Sequence, residues 1–237
     1  MSDRHASAAG GLARGGFVEP DKARALLDSL GTLPPFDDDE VLAGVADQLG
    51  SAADPDLALR QFLRVVEGCD GRLRAGLGAD EAFRGRVIDV VGASEALGDF
   101  LVRDHASLDL LADADRLAQP PSPVDARASL LGAVGAIPQS PEPVAQAPGD
   151  GGSVADALRV AYRRWLVGIA VRDLSGLAGM ESVAAWLSDL ADATLEAALA
   201  IARHEVGESA FTCRLAIIGM GKCGGRELNY ISDVDVI

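Results

Sequence analysis

The chain has 237 residues, 49% of them apolar and only 4% aromatic, and 36 Asp+Glu outweigh 21 Lys+Arg to give a formal charge of -15. Length and apolar content suffice for one large or two small cores built from Ala, Leu and Val, a composition that favours helices over an all-β sandwich. The acidity excludes a general grip on nucleic acid and docking on an anionic membrane, both of which need clustered Lys and Arg.

Cys69, Cys213 and Cys223 form neither a disulfide framework nor a CxxC pair, and His5, His105 and His204 are too scattered for zinc. The first 17 residues lack the apolar stretch of a signal peptide. No apolar run approaches the roughly 20 residues of a membrane span, so a cytoplasmic protein is expected.

Residues 1–16 read as a flexible tail. Helical patterning starts at Asp21 and runs to Leu30, where Gly31 stops it. Asp37, Asp38, Asp39 and Glu40 put four acids at the start of the next helix, where the helix dipole favours negative charge. Asp54-Pro55 reads as an N-cap followed by Pro at the first helical position, opening a helix to about Glu67. Further helices are expected over 79–91, 94–102 and 106–117. Seven of the eleven prolines fall between Pro120 and Pro148, so 119–152 reads as a mobile linker with one helix over 126–134.

Ser153 to Asp156 resembles a capping box and opens a long helix. A second long helix spans about 181–205, with Leu187, Leu190, Thr194, Leu195, Ala198 and Leu199 on one face. Trp165 and Trp186 read as core anchors. Arg163-Arg164 and Arg172-Asp173 read as solvated charges and interhelix ion pairs, with a phosphate or an acidic partner as the alternative. The organisation expected is a tail at 1–16, a helical region at 17–118, the linker at 119–152, two long helices within 153–207 and the start of another domain at 208–237.

The last segment carries the chemistry. Residues 212–218 read as a buried strand, 219–225 as a glycine turn, 226–230 as a short helix, and 232–237 as a second strand with Val234 and Val236 directed into a core. A glycine turn after a strand exposes backbone N–H groups to an anion, most often phosphate. Gly219-Met220-Gly221-Lys222-Cys223-Gly224 satisfies the dinucleotide pattern G-x-G-x-x-G. Only seven residues separate Gly225 from Asp233, however, too few for a crossover helix. A P-loop fails as well: Cys223 stands where the magnesium-binding hydroxyl belongs, and Ala216 stands in place of the first glycine.

The third reading is a nucleotidyltransferase turn, in which the second strand bears Asp-x-Asp. Residues i and i+2 of a strand project on one face about 6.5 Å apart. Asp233 and Asp235 there can serve a pair of hard cations about 4 Å apart, the arrangement that suits in-line displacement at phosphorus.

At residues 217–237 the chain reads I-I-G-M-G-K-C-G-G-R-E-L-N-Y-I-S-D-V-D-V-I. This string resembles the G-M-G-K-x-G-G-x-E-L-N-[FY]-x-S-D-x-D-[LVI]-I signature of the bifunctional glutamine synthetase adenylyltransferase/adenylyl-removing family. The segments 92–108, 165–174 and 182–198 resemble the helical parts that precede it, so the likeness covers most of 80–237. It implies a mainly α protein: a multi-helix N-terminal region, followed by the start of an α+β nucleotidyltransferase domain of the DNA polymerase β superfamily.

The resemblance further implies Asp233 and Asp235 as catalytic ligands of Mg2+, and Gly219, Met220 and Gly221 as the turn that admits phosphate oxygens. Lys222 would add a point charge, Ser232 would bond a phosphate or cap the strand, and Glu227 and Asn229 would buttress the turn. The family carries two such domains in tandem. The position of the signature fits the first, which removes AMP from a tyrosine of glutamine synthetase by phosphorolysis and releases ADP; the second attaches AMP from ATP. Implied partners are glutamine synthetase, ATP or ADP, phosphate, and as regulators the PII protein and glutamine. A third carboxylate is expected on a later strand, so residues 1–237 alone are expected to be inactive. Two alternatives stand beside this: another polymerase β-type nucleotidyltransferase, or a helical protein-binding module.

Overall fold

The computed structural model describes residues 12–147, 152–207, 209 and 215–237. Most of the expected tail and Thr212 to Arg214 of the expected strand, Cys213 among them, lie outside the described residues. Among those described, the protein is mainly helical, and the chain divides into two compact units at Ala118/Gln119.

The first unit is built from α1 (Pro20–Leu30), α2 (Asp39–Gly50), α3 (Pro55–Gly68), α4 (Gly71–Ala79), α5 (Glu81–Ala93), α6 (Glu95–Arg103), α7 (Ala106–Ala112) and α8 (Ala114–Ala118). Short polar side chains start most of them. Asp38 accepts from the N–H groups of Glu40 and Val41, Asp54 from Leu57, Asp70 from Leu73, Asp80 from Phe83 and Ser94 from Leu97. Each such cap satisfies N–H groups that have no partner within the helix. Helix α3 supplies the central apolar face, with Ala58, Leu59, Phe62, Val65 and Val66 fully buried. Phe62 meets Phe36 edge to face at 5.9 Å. Arg84 is buried and satisfied by Gln48 Oε1 at 2.5 Å and the Leu77 and Gly78 carbonyls at 3.0 Å.

Three expectations change here. Residues 12–14 are helical, and Phe17 is buried. The helix expected over 79–91 forms as α5 behind the Asp80 cap, but α4 before it was not expected, because Gly71, Gly76 and Gly78 hide it from a propensity reading. The helix expected over 106–117 is also two, because Asp113 caps a new start through the N–H of Arg116.

The second unit packs α9 (Pro123–Ala133), α10 (Val154–Leu174) and α11 (Met180–Val206) against one another around Leu130, Leu131, Leu158, Ile169, Leu187 and Leu190. The described part of the proline-rich stretch, residues 119–147, belongs to this core rather than to a mobile linker. Val134, Ala136 and Ala145 are buried, and the Ala145 N–H donates to Ala200 O of α11 at 2.9 Å. Arg127 of α9 donates to both carboxylate oxygens of Glu196 and to Pro138 O. Prolines rule out regular helix beyond its first turn, yet they leave an irregular chain free to pack when its polar groups find partners. Ser153 caps α10 through the Asp156 N–H, and both tryptophans are partly buried against the core. Arg172 is buried, not solvated: it donates to Gln119 O and Gly168 O.

The strands expected at the end of the chain do not form among the described residues. In their place stands one antiparallel bridge between Gly219 and Val236, extended by reciprocal bonds between Ile218 and Ile237. Among the described residues nothing buries the side chains of this pairing. Ile218 is 58% exposed, and Val234 and Val236 are 39% and 44% exposed rather than directed into a core. A two-stranded ribbon without a buried face is marginal in water. The short helix lies at α12 (Gly221–Gly224), not over 226–230.

Candidate functional site

The glycine turn folds back on itself. The Gly224 N–H donates to Met220 O, Arg226 N–H to Cys223 O at 3.1 Å and Glu227 N–H to Lys222 O at 2.8 Å. The last two bonds close a Schellman turn after α12. Residue 226 occupies its left-handed position, φ 59°, where glycine is usual. Two glycines are required by contact. A Cβ on Gly224 would lie 2.3 Å from Gly219 O, and Gly221 has φ +53° with Asp235 Oδ2 3.3 Å from where its Cβ would be.

The same turn meets the Asp-x-Asp segment. Met220 N–H donates to Asp235 O at 2.8 Å, and the Asp235 carboxylate rests against Gly221. Lys222 Nζ reaches Ser232 Oγ at 3.5 Å, and Ser232 Oγ donates to Asn229 Oδ1 at 2.8 Å. Asn229 Oδ1 also accepts from the Ile231 N–H, which ties the corner just before Asp233. Gly219, Met220, Gly221 and Lys222 are thus brought together with Ser232 and Asp235, and exposed Asp233 follows directly on Ser232. Asn229, expected to buttress the glycine turn, instead ties the corner before Asp233. Glu227 contributes its backbone N–H to the turn.

Asp233 and Asp235 offer hard carboxylate oxygens, the donor type Mg2+ takes, and both are exposed. They fit part of such an ion's shell. Among the described residues, no three His, Cys, Asp or Glu side chains lie together as a metal-binding group. Among those residues, too, no helix is long and apolar enough to cross a membrane.

Sequence reasoning missed the groups that anchor this segment to the helices. Arg226 donates through both terminal nitrogens to Asp189 of α11, whose side chain is 11% exposed. Leu228 is buried, and its N–H lies 3.4 Å from Ser188 Oγ. Tyr230 OH donates to Asp173 Oδ2 of α10 at 3.0 Å. Burial first, and then this carboxylate, push the Tyr230 phenol well above its ordinary range. Cys223 is buried with its Sγ 4.0 Å from Asp192 Oδ1, and burial followed by the Asp192 charge raises its thiol. Arg226 is left-handed, and Arg226, Leu228 and Tyr230 are each held by a partner on α10 or α11, which keeps 226–230 out of a helix. Those partners, 37 to 57 residues upstream, were not readable in the sequence.

Comparison with known proteins agrees with the signature. The family model of glutamate-ammonia ligase adenylyltransferase matches residues 84–237. A bifunctional glutamine synthetase adenylyltransferase/adenylyl-removing enzyme of Streptomyces avermitilis is 41% identical over 239 aligned positions, covering 99% of this chain and 22% of that protein. Proteins of the same description from Leifsonia xyli and Mycobacterium avium are 41% and 39% identical, each covering 95% of this chain and 22% of their own length. The chain therefore spans about a fifth of the length of these curated relatives. No solved structure matches it. With its signature, its family match and its relatives in agreement, the chain belongs to the glutamate-ammonia ligase adenylyltransferase family.

Proposed function

We propose that this chain contributes the adenylyl-removing site of an enzyme that reversibly adenylylates glutamine synthetase. The observation that carries the reading is the seating of the Asp-x-Asp segment on the glycine turn, with Met220 N–H bonded to Asp235 O and the Asp235 carboxylate against Gly221. The signature stands behind an acidic helical region, which fits the family's first nucleotidyltransferase domain and favours removal over attachment.

In that reaction an oxygen of inorganic phosphate attacks the phosphorus of adenylyl-tyrosine. The bond from phosphorus to the tyrosine oxygen breaks, the phenolate takes up a proton, and ADP leaves. Asp233 and Asp235 would hold Mg2+, which when bound neutralises charge on phosphoryl oxygens. Gly219, Met220 and Gly221 shape a turn narrow enough for phosphate to approach backbone N–H groups. Lys222 adds positive charge beside Ser232, whose hydroxyl is already oriented by Asn229. The reading places the enzyme in the cytoplasm with glutamine synthetase as its protein substrate, and with the PII protein and glutamine as its regulators.

The test is made in the full-length enzyme. Asp233→Asn and Asp235→Asn should each abolish phosphate-dependent release of ADP from adenylylated glutamine synthetase while AMP attachment from ATP continues. Loss of attachment with retained removal would assign this site to the opposite reaction.

A further inference from the structure

We propose that the α10–α11 pair is the positioning platform of this site, with Asp189 acting through Arg226 and Asp173 acting through Tyr230 to fix where the Asp233 and Asp235 carboxylates stand. The proposal rests on the reading of Asp233 and Asp235 given above.

Among the described residues Arg226 is the one non-glycine residue with positive φ. It holds the place in a Schellman turn where glycine is conformationally easiest, so a side chain there is carried against the backbone's preference. That side chain ends in a two-pronged bond to Asp189, a carboxylate largely removed from water. A bidentate guanidinium–carboxylate pair fixes direction as well as distance. An ordinary surface ion pair needs neither a strained backbone nor a nearly buried partner.

From this point the order propagates toward the carboxylates. Leu228 is pinned beside Ser188, Tyr230 is bonded to Asp173, and Asn229 closes the corner over Ile231 and Ser232. Asp233 is the next residue. The anchors come from two different helices, which constrains rotation of the segment as well as its distance from either. Behind the turn, Asp192 receives the buried Cys223, so α11 touches the segment on both sides of Gly224-Gly225. Among the described residues no three His, Cys, Asp or Glu side chains form a metal-binding group, so Asp173 and Asp189 do not join Asp233 and Asp235 in one, and their action is through Tyr230 and Arg226.

The test uses the full-length enzyme with Arg226→Gly, which eases the backbone and deletes the guanidinium. Two readouts are taken: the Mg2+ concentration for half-maximal ADP release, and backbone amide exchange over residues 227–235. The expected result is about a tenfold rise in the Mg2+ requirement, the scale on which outer-sphere partners of metal ligands act, with KM for adenylylated glutamine synthetase unchanged. Amide exchange over 227–235 should accelerate. Arg226→Lys should recover part of both effects. A purely structural role would lower thermal stability without moving the Mg2+ requirement, and that result overturns the proposal, as does an Arg226→Gly enzyme matching the unaltered one in both readouts. If Arg226→Gly does not fold, Tyr230→Phe removes only the bond to Asp173 and should shift both readouts in the same direction; no shift overturns the proposal. If the unaltered enzyme releases no ADP, the functional reading fails, and amide exchange alone decides whether the platform exists.

Discussion

Arg226 and Asp189, 37 residues apart in sequence, are joined by two hydrogen bonds that tie the glycine turn to the longest helix among the described residues. The partners are unequal: the Arg226 side chain is 53% exposed and that of Asp189 is 11% exposed. Removing the arginine strands a nearly buried carboxylate, whereas removing the carboxylate releases a guanidinium that water can reach.

Arg226→Ala should therefore destabilise the second unit by about 1–2 kcal/mol, and Asp189→Ala by less than about 1 kcal/mol. Urea unfolding followed by tryptophan fluorescence checks the order directly, because Trp165 and Trp186 are the chain's two tryptophans and both belong to that unit. Equal costs would mean that the pair behaves as a simple surface bridge.

Two glycines should respond to alanine in opposite directions. Gly224→Ala forces a methyl group to within 2.3 Å of the Gly219 carbonyl, so the turn has to open; unfolding should become easier by about 1–3 kcal/mol. Gly132 lies exposed near the end of α9 with nothing within 4 Å of a built Cβ. Gly132→Ala should stabilise the protein by about 0.5–1 kcal/mol by reducing the freedom of the unfolded chain. Thermal denaturation of the two variants checks the contrast.

The second unit should also carry a pH-dependent penalty at Asp192. Burial pushes its carboxyl above the ordinary 3.8, and the Asp189 charge adds to this against the pull of Arg226. With the folded value raised, the folded chain holds more protons than the unfolded chain at pH values between 3.8 and the raised value. Stability from this group therefore falls as pH rises through that window. Asp192→Asn, which cannot ionise, should gain on the unaltered protein as pH climbs from 3.8, with no such gain below it. Urea midpoints measured at a series of pH values give the difference curve; a curve of opposite slope would contradict the assignment.

Residues 1–237 on their own should release no ADP from adenylylated glutamine synthetase at any Mg2+ concentration. Two carboxylates stand at the turn, and the described residues supply no third to complete a metal-binding group. An assay of the purified chain with phosphate and the modified substrate checks this. Any Mg2+-dependent release above a no-enzyme control would show that two carboxylates suffice.

The helical body was legible because its punctuation is local. Asp54-Pro55, Ser94 and Ser153 each cap the helix expected of them, through bonds spanning only three residues. The glycine turn was legible for the same reason, since its string names its own geometry. What the sequence hid depends on distant partners. Proline-rich residues 119–147 read as a linker because nothing in their composition reports the Arg127–Glu196 pair or the Ala145–Ala200 bond, 69 and 55 residues away along the chain. The 226–230 segment read as a helix because Asp189, Ser188 and Asp173, which hold it in an irregular path, lie on other elements. Val234 and Val236 alternate like strand residues facing a core, yet alternation says only which side chains share a face, not whether that face is covered.

The two acids beside the turn carry the proposed removal reaction. Phosphate-dependent ADP release from adenylylated glutamine synthetase should be measured for the full-length enzyme and its Asp233→Asn variant over a range of Mg2+ concentrations, with AMP attachment followed in parallel. The variant should lose removal by at least about a hundredfold and keep attachment. Removal that persists undiminished in the variant would contradict that role.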